Sequence, residues 1–305
     1  MQMHQDQLSL RPEVARRLIG RALLVAGLPG DRDIRLLSGA GTTSYVLRVG
    51  EDLLARFPMQ GRDPAQVRAA IAAEHTAMTE FARVSPFPSA RPVTIGEGDG
   101  GYPLPFSVQT WVPGEVATPT SVAGSAGFAD DLARLIGALR EAGTLGRSFG
   151  GTGRGGDLTG QDAWMTQCFE RSEGMLAMSE LRTLWSSLRA LPREDPDVMS
   201  HADLIPANLL VADGRLVGVL DTGGFAAADP ALDLVCAWHL LEAPARAMLR
   251  EHLDCPELEW RRGAAWAFAQ AMGLVWYYEV TNPPMAELGR STLARLLAES
   301  DGLTG

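Results

Sequence analysis

The sequence predicts an α+β chain in two lobes, the first an antiparallel sheet with a long helix, the second mainly helical with a small hairpin. Three observations carry this. β-prone runs cluster before Gly114, helical periodicity takes over after it, and 305 residues with 46% hydrophobic content exceed what one small module needs. The expected lobes span 1–110 and 111–305.

Residues 11–26 carry apolar positions at helical spacing and end at a Pro- and Gly-containing break, so a first helix is expected there. Three β-prone runs follow, 34–37, 45–49 and 53–57, separated by a Gly-rich turn and by Gly50-Glu51-Asp52, which reads as an antiparallel meander. Over 64–84 the residues Val67, Ile71, Met78 and Phe81 share one helical stripe, and Glu74 falls on it. Two further strands, 93–95 and 106–111, close the first lobe at Pro113-Gly114.

Beyond that break, helices are expected at 127–142, 161–174, 179–190, 231–253, 258–279 and 284–299. The one β-prone interruption is 208–220, where Asp213-Gly214 sits between two apolar runs as a tight hairpin. The segment FGGTGRGGD, 149–157, reads as a flexible linker-type loop, because no strand precedes it as a phosphate loop requires. No internal repeat is present in the sequence.

A net charge of −10 argues against nucleic acid or an anionic membrane surface as partner and favours a cationic small molecule. Lysine is absent, so any chemistry that needs a permanent cation falls to arginine. Three cysteines without paired spacing indicate neither a disulfide framework nor a zinc site, and no apolar run is long enough to span a bilayer. A cytoplasmic, soluble protein is the expectation.

The stretch HADLIPANLL, 201–210, sets His201, Asp203 and Asn208 in an otherwise apolar run, and Asp221 follows the hairpin in LDTGG. Polar groups in such a setting are costly unless paired or working. The spacing HxDxxxxN, then a hairpin, then Asp matches the catalytic and metal-binding loops of kinases. Phosphoryl transfer needs a carboxylate to orient and deprotonate the attacking hydroxyl, which suits Asp203, and oxygen ligands for Mg²⁺, which suit Asn208 and Asp221.

Together with DPALDL at 229–234, these motifs resemble the catalytic core of the aminoglycoside phosphotransferase family, which has a two-lobed protein-kinase-like fold and includes kinases of other small hydroxylated molecules. The resemblance implies Asp203 as catalytic base, Asn208 and Asp221 as magnesium ligands, and His201 and Asp233 as braces of the loop. It further implies ATP or GTP as co-substrate, a small hydroxylated acceptor and a part in antibiotic resistance.

For the first lobe the resemblance implies a nucleotide site. SGAGTTSY, with Ser38, Gly39, Gly41 and Ser44, is similar to the family's phosphate-covering loop, although a plain hairpin turn has the same sequence. Arg56 stands where the family places a phosphate-binding Lys or Arg, and Glu74 stands where it places the ion-pair partner. QTWVPGE resembles the hinge, with the backbone of Thr110 and Val112 facing the base, and a simple connection would look the same.

Three departures stand out. Ala202 replaces the usual Gly, which matters if the position needs positive φ. Asp221 lacks a second acid two positions on, and Ile205 takes the place of a lysine that contacts phosphate in protein kinases. For the acceptor, Glu257, Trp260, Trp276 and Glu279 on the late helices are candidates, the aromatics serving equally well as core. The seven residues between Asp221 and Asp229 are too few for a peptide-binding activation loop. A macrolide or other small-alcohol kinase, a catalytically inactive nucleotide-binding scaffold and a metal hydrolase are the competing readings.

Overall fold

The computed structural model of the protein describes residues 7–37, 43–61 and 63–304. The chain divides into two compact units, one of Met1–Arg83, Pro88–Pro113 and Asp221–Gly223, the other of Val84–Phe87, Gly114–Leu220 and Gly224–Gly305.

The first unit opens with α1 (Pro12–Val25), whose proline sits at the first helical turn, where no N–H is missed. Strands β1 (Ile34–Leu36), β2 (Ser44–Val49) and β3 (Leu53–Pro58) form the meander. Helix α2 (Pro64–Val84), β4 (Pro92–Gly96) and β5 (Phe106–Thr110) complete an antiparallel sheet of order β1-β2-β3-β5-β4. Its core joins Leu18, Ile19 and Leu23 of α1 to Val49, Phe57, Phe106 and Val108 of the sheet. The Phe57 and Phe106 rings stack with centroids 4.1 Å apart. Opposite Phe106 only glycine fits, because a Cβ on Gly96 would lie 2.0 Å from that ring. The stripe of α2 buries Ile71, Met78 and Phe81, and His75 Nε2 lies 2.7 Å from Ser107 Oγ, tying α2 to β5.

The second unit is helical with short strands. It runs β6 (Glu115–Val116), α3 (Pro119–Val122), α4 (Ala126–Glu141), α5 (Asp162–Arg171), α6 (Met178–Leu188), β7 (Val198–Ser200), β8 (Leu209–Ala212), β9 (Arg215–Val219) and β10 (Ala226–Ala228). Then come α7 (Val235–Leu240), α8 (Ala243–His252), α9 (Glu257–Tyr278), α10 (Pro283–Ala298) and α11 (Ser300–Thr304). Asp213 and Gly214 both have positive φ, 50° and 69°, as the tight hairpin between β8 and β9 demands. Buried Asp131 on α4 clamps that hairpin through Arg215 Nε at 2.6 Å and Leu216 N at 3.1 Å. The centre of the unit is α9, buried nearly all round from Trp260 to Val275 and packed along α10.

Three expectations fail here. The single helix over 231–253 is broken, because Pro244 cannot sit inside a helix. The chain forms α7, turns extended at Leu241 and restarts as α8 with the proline in its first turn. The hairpin is not the only β structure, since β7 pairs antiparallel with β10 and β6 with β8. These strands are two or three residues long, and Ala226–Ala228 has no β-propensity of its own, so tertiary pairing alone holds them. The glycine segment 149–157 is no free linker. Gly155 O accepts from Asp229 N at 2.9 Å, Gly156 O accepts from Arg262 Nη2 at 3.2 Å, and Gly153 O accepts from Gln161 Nε2 at 3.2 Å.

Candidate active site

The loop after β7 is built on a buried carboxylate. Asp233, 3% exposed, accepts from Ser200 Oγ at 2.9 Å and from His201 N at 3.0 Å, and burial pushes its carboxyl upward against the pull of His201. His201 is fully buried, and its Nε2–H donates to Leu220 O at 2.8 Å, which leaves Nδ1 to accept the Asp203 N–H at 3.3 Å. One imidazole thus joins the end of β9 to the start of the loop, with both ring nitrogens spoken for.

Between them Ala202 has φ of +68°, the left-handed region that glycine takes freely and alanine does not. The replacement of glycine is therefore a strained one, fixed in part by Ala202 N donating to Ser200 Oγ at 2.9 Å. From there the chain turns Asp203 outward, its side chain 37% exposed. Asn208 Nδ2 donates to the Asp203 carbonyl at 2.9 Å and stands 3.5 Å from Oδ2, while Asp203 Oδ1 takes donors from Arg154 Nη2 and from Gln270 Nε2, the latter at 3.3 Å. Oδ2 is the less engaged oxygen.

Arg154 and Gln270 are not among the sequence candidates. Arg154 is delivered by the glycine segment, which is anchored by the pair Asp229 and Arg262. That pair is 2% and 3% exposed, with Nε at 3.0 Å and Nη2 at 2.5 Å from Oδ2, and Trp266 Nε1 adds a donor at 2.8 Å. Arg262 also holds the Leu191 and Pro192 carbonyls at 3.0 Å. Asp229 is accordingly a structural post.

In the first unit, Arg56 on β3 donates from Nη1 to Asp221 Oδ1 at 2.7 Å. The expected hydrogen-bonded partner is Glu74, and the arginine has instead taken the carboxylate expected to bind metal. Glu74 stays close enough to feel both groups: burial pushes its carboxyl upward, Arg56 draws it down and Asp221 raises it again. Asp221 itself sits at φ of +54°, a conformation Asp tolerates better than most residues and one that gathers at functional sites. Gly223 lies against Glu74, where a Cβ would come within 3.1 Å.

Of the other nucleotide candidates, Ser44 begins β2 opposite Pro58, and Ser38, Gly39 and Gly41 lie outside the described residues. Of the two positions expected to face the base, Thr110 already gives its N–H to Arg91 O at 2.9 Å.

The acceptor candidates are spread along α9. At 1.5 Å per residue, Trp276 and Glu279 lie roughly 9 and 14 Å along the axis from Gln270, whereas Trp260 and Glu257 lie roughly 15 and 20 Å the other way. Trp260 is a core residue, 6% exposed with its ring 5.4 Å from Trp238. Glu257 accepts from Arg250 Nη2 at 2.6 Å and Glu279 from Arg290 Nη2, so neither carboxylate stands unpaired. Trp276 is half-buried, its Nε1 3.4 Å from Cys168 Sγ, and beside it Tyr277 is 56% exposed. The three cysteines are free and buried.

The model of the phosphotransferase enzyme family (APH) matches residues 31–266. No curated protein sequence matches the chain. Among solved structures, the GDP complex of wild-type aminoglycoside 2'-phosphotransferase-IIIa is 17% identical, with a TM-score of 0.61 over 88% of this chain and 93% of that one. The gentamicin complex of APH(2")-IIa is 17% identical, with a TM-score of 0.59 over 98% and 100%. Macrolide 2'-phosphotransferase MphH from Brachybacterium faecium is 20% identical, with a TM-score of 0.57 over 86% and 93%. Likeness at this level establishes a kinase-like α+β fold, and leaves the acceptor open.

Proposed function

Because the chain belongs to the phosphotransferase enzyme family, we propose that it moves the γ-phosphate of ATP or GTP to a hydroxyl of a small antibiotic-like molecule, with Asp203 as general base. The observation that carries this reading is the Asp203 carboxylate, turned outward with Oδ1 held by two donors and Oδ2 the less engaged. The acceptor O–H gives its proton to Asp203 as its oxygen bonds to the γ-phosphorus. The bond from that phosphorus to the bridging oxygen breaks, and the nucleoside diphosphate leaves with the electron pair.

Each proposed magnesium ligand has suitable chemistry of its own. Asn208 spends its amide N–H on the Asp203 carbonyl, which leaves a neutral oxygen to ligate, and Asp221 already holds its carboxylate against a cation. A bound ion would neutralise phosphate charge. Arg56, released from Asp221, would turn to the phosphates, and Glu74 is placed to receive it when it does. Val112 would meet the base edge.

For the acceptor, the net charge of −10 favours a cation of the aminoglycoside kind. A macrolide is the second reading, favoured by the exposed Tyr277 beside Trp276 and by the pairing of Glu257 and Glu279 with arginines. The test is a phosphorylation screen across aminoglycosides, macrolides, cyclic peptide antibiotics and small amino alcohols, read by mass gain. Asp203→Ala should lower turnover of the best acceptor by ~10² or more and leave nucleotide affinity nearly unchanged. Undiminished turnover in that variant would remove Asp203 from the reaction.

A further inference from the structure

From Gly263 to Trp276 helix α9 is apolar on nearly every side, and a single uncharged amide, Gln270, interrupts it facing Asp203. Its other end meets a second buried polar group. Gln270 Oε1 lies 2.9 Å from His239 Nε2, and His239 Nδ1 lies 2.8 Å from Thr292 Oγ. His239 and Thr292 are both fully buried.

The bond between His239 and Gln270 has one consistent direction. Burial drives the His239 imidazole down to about 4, so near neutral pH the ring carries one proton. An amide oxygen can only accept, so that proton is on Nε2, and Nδ1 is bare. The single Thr292 hydroxyl proton is shared between that nitrogen and Leu288 O, both 2.8 Å from Oγ. With Oε1 held by His239, the amide cannot rotate. A flipped Gln270 would set its amide oxygen against the Asp203 carboxylate.

We propose that Gln270, locked by His239 and Thr292, is a positioning residue for phosphoryl transfer, fixing Asp203 Oδ1 so that Oδ2 faces the acceptor hydroxyl. The proposal rests on Asp203 being the base. It explains why Oδ1 carries two donors from different elements, Arg154 on the glycine segment and Gln270 on α9, while Oδ2 has only a long 3.5 Å bond from Asn208, whose shorter bond goes to the backbone carbonyl. A rotating carboxylate would offer its two oxygens by turns, and a displacement of about 1 Å at a reacting atom can cost 10²-fold in rate. Arg154 alone is a poor lock, since a 31%-exposed guanidinium can be drawn away by phosphate, whereas an amide inside α9 cannot.

The experiment compares Gln270→Leu with the parent chain in the wild-type and Asp203→Asn backgrounds, using MgATP or MgGTP and the acceptor that gains most mass in the screen above. Gln270→Leu should lower kcat about tenfold or more, with KM for nucleotide and acceptor within twofold. In the Asp203→Asn background the same substitution should lower kcat less than twofold, because there is no base left to orient. Thr292→Val, which frees His239 Nδ1 two bonds away, should lower kcat two- to fivefold with KM unchanged, and it serves as the test if Gln270→Leu fails to fold. A kcat within twofold of the parent in both variants, or an equal fold-loss in both backgrounds, overturns the proposal. Full activity of Asp203→Asn is a separate outcome that sinks the base assignment itself. If the screen yields no acceptor, phosphate release from MgATP with water as acceptor carries the same comparisons.

Discussion

Acid should destabilise this protein through His239. The residue is fully buried, and desolvation holds its imidazole at about 4 against an ordinary value of 6.5, with Arg154 and Arg295 pushing the same way and the bond to Gln270 pushing back. Between those two values the unfolded chain binds a proton that the folded chain refuses, so stability rises with pH across the window and is lost as pH falls through it. At about 1.36 kcal/mol per pH unit, the drop from 6.5 to about 4 gives about 3 kcal/mol lost as the pH falls through that window. Against a typical total of ~5–15 kcal/mol this is a large share. The assay is urea unfolding followed by tryptophan fluorescence at half-unit steps of pH, for the wild type and for His239→Gln. The variant starts less stable at pH 7.5, since glutamine cannot serve both Gln270 and Thr292, but its stability should fall with acid by about one proton less than the wild type. Parallel pH dependences in the two chains would refute the reasoning, because every other titrating group is shared.

Asp221→Ala should abolish Mg²⁺-dependent nucleotide binding, measured by calorimetry with and without the ion; a binding isotherm that responds to Mg²⁺ as in the wild type would displace Asp221 from the metal. Arg262→Leu leaves the Asp229 carboxylate buried with an unbalanced charge, and should cost about 3–5 kcal/mol in urea unfolding, far more than the ~1 kcal/mol of a surface pair. A cost near the surface value would mean that water reaches Asp229. Ala202→Gly removes left-handed strain of about 1–2 kcal/mol and returns about half of it as unfolded-chain entropy, so thermal unfolding should shift upward by about 1–2 °C. A lower midpoint would show that Ala202 contributes a contact worth more than its strain.

The sequence is legible where a rule of spacing meets a rule of cost. His201, Asp203, Asn208 and Asp221 announce themselves because polar groups at kinase spacing stand in an apolar run, and the first sheet follows from period-two runs punctuated by glycine. Arg154 is hidden by its neighbours: a segment of five glycines has the composition of a linker, and the bonds from nearby Gln161 and from Asp229 and Arg262, distant in sequence, make it rigid. The partner of Arg56 escapes for a different reason. Glu74 shares the core stripe of its helix, but Asp221 reaches the guanidinium first, from a residue 165 positions away. Gln270 and His239 are visible in principle. His239 is the one polar residue of α7 and Gln270 the one polar side chain between Arg262 and Tyr277, and both are costly there unless paired, as Glu74 is on its stripe.

The donors to Asp203 Oδ1 arrive from both directions along the chain, Arg154 from before it and Gln270 from after it, and the segment carrying Arg154 is itself tied down by Arg262. During synthesis from the N-terminus, the first sheet and the HADLIPANLL loop are complete well before α9 exists. A nascent chain that stops short of α9 has every residue of the HADLIPANLL loop but lacks Gln270 and the Arg262 anchor of the segment that carries Arg154. Loop closures spanning 67 and 106 residues must follow, and closures of that length are slow. The Asp203 side chain therefore gains its second donor only in the step that docks α9.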